Sequence, residues 1–228
     1  MEIGLVLFPH ITALDLVGPF EVLSRVPDCR TRMVWQETGP VRAQHGLTLH
    51  ADTAFAECPQ LDVLLVPGGA GQVEQMENPA MLTFLRGQAA AAKWVTSVCT
   101  GTLLLGAAGL LQGYRATTHW RYLDCLPELG ATPVRKRIVA DRNRVTAAGV
   151  SAGIDMALFL AALLAGEQTA QSIQLGLEYD PQPPFASGSP ERAEPELLEL
   201  VREETQALYD RRLAQIRALS KIKLAGTD

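Results

Sequence analysis

The chain has 228 residues, of which 47% are apolar, and a formal net charge of −5 at pH 7. This composition excludes an intrinsically disordered chain and disfavours a nucleic-acid-binding protein, because hydrophobicity is high and no basic stretch dominates. The length fits one large domain or two small ones with a substantial core, and no apolar stretch is long enough to cross a membrane.

The first predicted element is a strand over residues 3–8, which ends at Pro9. Its continuous apolar run is typical of a strand covered on both faces, as in a parallel sheet. The acidic start at Glu2 and the early proline do not match a secretory signal peptide, so we expect a cytoplasmic protein. The four cysteines are scattered without a C-x-x-C pair, which favours free thiols in a reducing compartment.

Helices and strands then alternate along the chain. The further predicted strands are residues 32–36, 46–50, 62–66, 94–98, 116–119, 138–140 and 144–148. The predicted helices are residues 18–26, 79–92, 100–111, 151–164 and 168–179. This alternation of buried strands with helices predicts an α/β sandwich with a mainly parallel sheet and helices on both faces.

The C-terminal part follows a break rich in proline at residues 181–190. Residues 191–224 are charged but carry apolar residues at helical spacing, which predicts a helical segment. We therefore expect a catalytic domain over residues 1–190. Residues 191–228 are expected to form a helical extension that packs on this domain or on a dimer partner.

The sharpest motif is Thr-Ser-Val-Cys-Thr-Gly-Thr at residues 96–102, where a predicted strand ends at Cys99 and a helix begins at once. Such a tight turn needs small residues two before and two after its centre, and Ser97 and Gly101 meet that need. This is the geometry of a nucleophile elbow with cysteine as the nucleophile. The N–H groups and dipole of the helix N-terminus predict a lowered pKa for Cys99. The alternative is a small buried core cysteine.

A glycine-rich turn, Pro67-Gly68-Gly69, follows another predicted strand. In open α/β sheets ligands bind at this edge, and glycine lets backbone N–H groups approach them closely. We predict that Gly68, Gly69 and the N–H of Thr100 orient substrate and stabilise developing charge, as in an oxyanion hole. The alternative is a plain tight turn. Neither a phosphate loop nor a dinucleotide fingerprint matches, because no Gly-Lys-Ser/Thr follows and position 74 is glutamate.

Two further polar side chains follow predicted strands. Asp15 lies between apolar neighbours, where burial is costly unless the carboxyl is hydrogen-bonded or protonated. It either caps a helix or lies beside Cys99, where a raised pKa would let it donate a proton. His119 either pairs with Cys99 as a base or is a hydrogen-bonded structural histidine in the pocket wall, the interpretation that we favour. The other histidines have no metal-ligand spacing, so no metal site is expected.

Several motifs of the chain occur together in one known superfamily. They are Leu7-Phe8-Pro9, Leu14-Asp15-Leu16-x-Gly18-Pro19, Val66-Pro67-Gly68-Gly69, Ser97-Val98-Cys99-Thr100-Gly101, Gly106-Ala107-Ala108-Gly109-Leu110-Leu111-Gln112-Gly113, Ala116-Thr117-Thr118-His119-Trp120 and Leu177-Glu178-Tyr179-x-Pro181-x-Pro183-Pro184-Phe185. Over residues 1–185 the chain resembles the ThiJ/PfpI superfamily, and within it the isocyanide (isonitrile) hydratases in particular.

This resemblance implies a flavodoxin-like three-layer sandwich, a homodimer, a small-molecule substrate and no metal or organic cofactor. It implies that Cys99 attacks the terminal carbon of an isocyanide and that Asp15, as general acid/base, protonates this carbon and then activates water. A thioimidate on Cys99 would be hydrolysed to an N-substituted formamide. Gly68, Gly69 and Thr100 would orient substrate or water, and His119 and Trp120 would form the pocket wall.

Three departures separate the chain from other members of the superfamily. Thr100 stands where PfpI-type peptidases carry histidine, the late His-x-Glu of glutamine amidotransferases is missing, and Asp15 stands where deglycases have glutamate.

Two alternatives to a hydratase remain. One is a glyoxalase or deglycase acting on reactive aldehydes, and the other is a stand-alone small-ligand or redox sensor resembling the amidase-like domain of AraC-type regulators. About forty residues follow Phe185, too few for the DNA-binding module of such regulators, so neither nucleic acid nor a membrane is expected as a partner.

Overall fold

The computed structural model describes residues 1–225, and their side chains up to residue 219. The strands are β1 (Glu2–Val6), β2 (Arg30–Trp35), β3 (Gly39–Arg42), β4 (Thr48–Ala51), β5 (Thr53–Ala54), β6 (Val63–Val66), β7 (Trp94–Val98), β8 (Arg115–Ala116), β9 (Thr132–Pro133), β10 (Ile138–Asp141) and β11 (Arg144–Ala147). The α-helices are α1 (Ala13–Leu23), α2 (Gln72–Gln75), α3 (Pro79–Ala89), α4 (Gly101–Ala107), α5 (Ala152–Ala165), α6 (Glu167–Gly176), α7 (Pro195–Glu204) and α8 (Gln206–Ala225).

A seven-stranded sheet in the order β10-β11-β7-β6-β1-β2-β5 forms the centre of the molecule. Its neighbouring strands pair in parallel, except for the antiparallel hairpin of β10 and β11. All of β6 is buried, as are β1 and β7 beyond their first residues, because helices cover both faces of the sheet. The predicted flavodoxin-like α/β sandwich with a mainly parallel sheet is therefore confirmed.

Two groups of helices pack around this sheet. In the first, α5 packs against both α1 and α6, and in the second α4 packs on β6, β7 and α2. Helix α3 begins at Pro79 as predicted, because the Asn78 side chain accepts hydrogen bonds from the N–H groups of Ala80 and Met81.

Several predicted helix boundaries are wrong, two of them by four residues or more. Helix α1 begins at Ala13 rather than at residue 18, and it tolerates Pro19 in its interior. Helix α4 ends at Ala107 rather than at residue 111. The reason is Gly109, whose φ of +81° ends the helix in a left-handed cap, with the Leu110 N–H bonded to the Leu105 carbonyl. Of the predicted strand at residues 116–119, only Ala116 lies in a strand.

The C-terminal segment contributes α7 and α8. Helix α8 packs against the 3-10 turns Trp120–Cys125 and Pro127–Leu129, and buries Arg212 and Ile216. Residues 226–228 of the predicted extension lie outside the described residues. Among the described residues, none of the helices combines the length and apolar character needed to span a membrane.

Candidate active site

Four parallel strands end at one edge of the sheet. Helix α1 with Asp15 follows β1, Gly68 follows β6, Cys99 follows β7, and Val150 follows β11. Because parallel strands share one direction, the segments after them meet at the carboxyl edge, which is the usual ligand-binding edge of such sheets.

Cys99 occupies a strained elbow between β7 and α4. Its φ is +56°, an uncommon conformation for a residue with a side chain, which costs about 1–3 kcal/mol. Its N–H donates to the carbonyls of Ala147 (3.2 Å) and Ala148 (2.9 Å), and its carbonyl accepts from Thr118 Oγ1 (2.7 Å). A Cβ at Gly101 would overlap the Val66 carbonyl oxygen, so the predicted need for a small residue there is confirmed.

Cys99 is 6% exposed, and the groups around its thiol shift its pKa in opposite directions. Burial, as the largest cause, and the Asp15 carboxylate raise the pKa of Cys99 well above its usual range. The backbone N–H groups of Thr100 and Val150, which hydrogen-bond to the sulfur, and the charge of Arg212 oppose this rise. The predicted lowering of the Cys99 pKa is therefore wrong, because desolvation of the thiolate outweighs stabilisation by the helix N-terminus.

The Asp15 carboxyl lies beside Cys99 and does not cap its helix. It is fully buried, and its Oδ2 accepts a hydrogen bond from the Gly68 N–H (2.9 Å). Among the described residues, Oδ1 has no hydrogen-bond partner of standard geometry, although the Cys99 thiol interacts with this carboxyl. Burial raises the pKa of Asp15 to about 7, against the lowering effects of Gly68 and Cys99. At neutral pH the pair thus holds a thiol beside a carboxyl that exchanges its proton readily.

The backbone of Gly68 and Gly69 positions the groups around the thiol. The Gly68 N–H is taken by Asp15, and the Gly69 N–H donates to Thr100 Oγ1 (3.1 Å). A Cβ at Gly68 would lie 2.6 Å from the Thr100 nitrogen and 3.0 Å from Asp15 Oδ2, so this position has no room for a side chain. The structure thus brings together Asp15, Gly68, Gly69, Cys99 and Thr100.

His119 lies beside this group and is neutral at pH 7. Burial, followed by the charges of Arg212 and Arg121, lowers the pKa of His119 to about 4. Its Nδ1 accepts a hydrogen bond from the Arg121 N–H (3.3 Å). A ring with this low basicity is poorly suited to remove a proton from a thiol, which favours a role in the pocket wall.

A cleft of about 430 Å³ opens beside the elbow. Its walls include His119, Trp120 and Leu14, together with Thr118 and Val150, which hydrogen-bond to Cys99. Its volume suits a small organic molecule. Cys99 and Asp15 are not among the residues that line it, and Thr118 and Val150 connect the cleft to the elbow. In the part of the chain that the structure describes, no cluster of three histidine, cysteine, aspartate or glutamate side chains could hold a metal ion.

Two residues at this site were not predicted from the sequence. Val150 contributes its backbone N–H, a group that every residue except proline carries. Arg212 of α8 is 3% exposed and donates from Nη2 to the Gly69 carbonyl (2.6 Å). In the sequence Arg212 is one of several arginines in a charged segment, and no local signal distinguishes it from the exposed Arg211.

Known proteins are similar to this chain in sequence and in fold. The DJ-1/PfpI family matches residues 1–163. An isonitrile hydratase from Pseudomonas putida is 56% identical over 193 residues, which cover 85% of each chain. The HTH-type transcriptional regulator GbdR of Pseudomonas aeruginosa is 30% identical over 75% of this chain but 49% of its own. A solved structure of a ThiJ/PfpI family protein from Pseudomonas syringae aligns with a TM-score of 0.92 at 38% identity, covering 96% of this chain and 90% of that one.

Proposed function

The chain belongs to the DJ-1/PfpI family, and on that premise we propose that it is an isocyanide hydratase, a hydro-lyase that converts isocyanides to N-substituted formamides. The observation that carries the proposal is the buried pair of Cys99 and Asp15 beside a small cleft. The similarity to the isonitrile hydratase of Pseudomonas putida selects this chemistry among those that a cysteine elbow can perform.

The first half of the reaction forms a covalent intermediate. Asp15 as carboxylate takes the proton of the Cys99 thiol, and the sulfur attacks the terminal carbon of the isocyanide. Asp15 then delivers the same proton to that carbon, which gives a thioimidate, R–N=CH–S–Cys99. A pKa of about 7 suits Asp15 to both accepting and donating this proton near neutral pH.

The second half releases the product. Asp15 orients and activates a water molecule, which adds its oxygen to the thioimidate carbon while a proton goes to the nitrogen. The tetrahedral adduct then collapses, the C–S bond breaks, and the proton of the new hydroxyl returns to the Cys99 sulfur. The N–H groups of Thr100 and Val150, which point at this sulfur, stabilise its charge as it leaves. Gly68 and Gly69 orient Asp15 and Thr100, while His119 and Trp120 form the wall against the substituent R.

An assay of formamide production tests the proposal. We expect purified protein and phenyl isocyanide to give many equivalents of N-phenylformamide per protein chain, quantified by liquid chromatography and mass spectrometry. Consumption of methylglyoxal without formamide production would contradict the proposal and indicate a glyoxalase or deglycase. If neither compound is turned over, the site serves a sensor that binds its ligand.

We further propose the domain division and assembly. Residues 1–190 form the catalytic domain and residues 191–228 an extension. The protein is proposed to be cytoplasmic, which the four free cysteines support.

A homodimer is supported by two apolar side chains four residues apart on α5, Phe159 (38% exposed) and Leu163 (42% exposed).

A double substitution tests the dimer. Phe159→Glu with Leu163→Glu is expected to halve the mass measured by analytical ultracentrifugation, because two charges would have to be buried in the contact. The matched control is Leu197→Glu with Leu200→Glu, which changes two exposed leucines of α7. If only this control variant dissociates, the contact lies on the extension and the assignment to α5 is wrong.

A further inference from the structure

Arg212 is a buried cation that forms no ion pair with any carboxylate of the described side chains. It is 3% exposed, and among the described side chains it has no acidic partner within salt-bridge distance. Its Nη2 donates to the Gly69 carbonyl at 2.6 Å, and its Cζ lies 4.5 Å from the centre of the Tyr122 ring. Its Nε finds no partner among those same side chains.

Such an arrangement is costly unless negative charge lies nearby. Burial of an unpaired guanidinium is strongly unfavourable, and the Gly69 carbonyl, the Tyr122 ring and a hydrogen bond with the Tyr122 hydroxyl offset this only in part. The adjoining residues indicate where the missing charge resides. Gly69, which Arg212 binds, donates to Thr100, and Gly68 donates to Asp15, so the guanidinium is attached to the loop that holds both halves of the reactive pair.

Among the other ionisable groups around Cys99 and Asp15, none places a second positive charge beside the thiol. His119, after β8, is neutral because burial lowers its pKa to about 4, and burial raises the pKa of Tyr122 above its usual value. Arg121 is directed away from the thiol, over the Tyr209 ring and toward Thr205 and Gln206. Cys125 lies buried behind them as a thiol whose pKa burial raises to about 12.

We propose that Arg212 is a positioning residue that supplies the countercharge for the thiolate form of Cys99, and fixes the Gly68–Gly69 turn from the side of α8. The proton can then move between sulfur and carboxyl while the net charge of the buried site stays near zero. This role requires only that Cys99 reacts as a nucleophile. It is therefore tested by alkylation, independently of isocyanide turnover.

The test compares full-length wild-type protein with Arg212→Gln and Arg212→Lys. Glutamine keeps a hydrogen-bond donor for the Gly69 carbonyl and removes the charge, whereas lysine keeps the charge. The rate at which iodoacetamide alkylates Cys99 is measured from pH 5.5 to 10 by mass spectrometry of the Cys99 peptide. Arg211→Gln is the matched control, because Arg211 is the neighbouring residue on α8 and pairs at the surface with Glu74.

We expect Arg212→Gln to raise the pKa of Cys99 by about one unit. Because burial already holds this pKa well above its usual range, the measured profile lies below the midpoint. There the thiolate fraction falls about tenfold, the higher nucleophilicity of a more basic thiolate recovers about threefold, and the alkylation rate falls about threefold at each pH. Arg212→Lys is expected to stay within about 1.5-fold of the wild-type rate, as is Arg211→Gln, because each keeps the cation at position 212.

Two results would overturn the proposal. An unchanged alkylation rate in Arg212→Gln would show that the charge does not act on the thiol. Equal losses of rate in Arg212→Gln and Arg212→Lys would assign Arg212 a packing role instead. Near-UV circular dichroism of each variant shows whether its tertiary structure is intact, and if Arg212→Gln unfolds, the lysine variant alone decides: a threefold or larger loss of rate contradicts the countercharge.

Discussion

Replacement of Cys99 by serine is expected to lower formamide production by about 10³-fold or more. Serine fits the space at the elbow, but its hydroxyl is a far weaker acid than a thiol and a poorer leaving group from the tetrahedral adduct. Asp15 cannot take its proton, and the covalent intermediate does not form. Initial rates with phenyl isocyanide measure the loss, and intact-protein mass spectrometry measures the absence of an adduct.

The control for this substitution is Cys58→Ser. Cys58 is a partly buried free cysteine whose sulfur contacts only the Pro59 carbonyl by hydrogen bond among the described residues, a contact that serine reproduces. We expect this variant to keep the wild-type rate within about twofold. Substantial turnover by purified Cys99→Ser protein would exclude covalent catalysis by Cys99 and require direct attack of water on the isocyanide.

Replacement of Asp15 by asparagine lowers turnover by about 10²–10⁴-fold. The amide oxygen still accepts the Gly68 N–H, but the side chain can no longer carry a proton between sulfur and carbon. The same substitution is expected to stabilise the fold. Asp15 has its pKa raised from 3.8 to about 7, so the folded state holds a proton that the unfolded chain has already lost at intermediate pH.

The sign of the stability effect follows from this shift. An acid whose pKa is raised on folding contributes its full stability below pH 3.8, and that contribution is lost as the pH rises to about 7. At pH 8 the ionised, buried Asp15 therefore costs the wild-type protein up to about 4 kcal/mol, a cost that asparagine lacks. We expect Asp15→Asn to raise the Tm at pH 8 by up to roughly 10 °C, and to leave it unchanged near pH 4.

The matched control is Glu21→Gln, which removes an exposed carboxylate from the same helix and leaves the site untouched. We expect it to leave turnover and the pH dependence of the Tm unchanged. Its free energy of unfolding should differ from wild type by no more than a few tenths of a kcal/mol, as is usual for exposed ion pairs. An Asp15→Asn variant with full activity, or one less stable than wild type at pH 8, would contradict the assignment of a buried proton carrier.

The fold was largely predictable because its strands carry strong local signals. Strand β7 has the predicted bounds, 94–98, because its run of aromatic and β-branched residues ends at the tight elbow of Cys99. The predicted ends of α1 and α4 were wrong, and in each helix a proline or glycine is involved. The apolar spacing predicted a helix only from residue 18, whereas α1 begins at Ala13 and holds Pro19 in its interior, where packing against α5 outweighs the lost hydrogen bond. Gly109 is a helix-ending signal that the apolar run around it concealed.

Predictability of the site depended on which part of a residue acts there. Cys99 acts through a side chain directly after β7, and Asp15 through a side chain in α1, the helix that follows β1, so motif and topology together predicted their meeting. Val150 acts through its backbone, which has no sequence signature. The pKa of Cys99 was predicted in the wrong direction, because a helix terminus is visible in the sequence whereas the depth of burial is set by the whole tertiary structure.

The contact between Arg212 and Gly69 spans 143 residues of the chain. During translation every strand of the central sheet leaves the ribosome before Arg212 has been synthesised. At typical elongation rates of about 5–20 residues per second, the interval between the two partners is on the order of ten seconds. A nascent chain can thus assemble the elbow and the carboxyl while the guanidinium is still missing. Helix α8 then completes the electrostatic environment of the thiol, so the reactivity of Cys99 matures only after this helix has emerged.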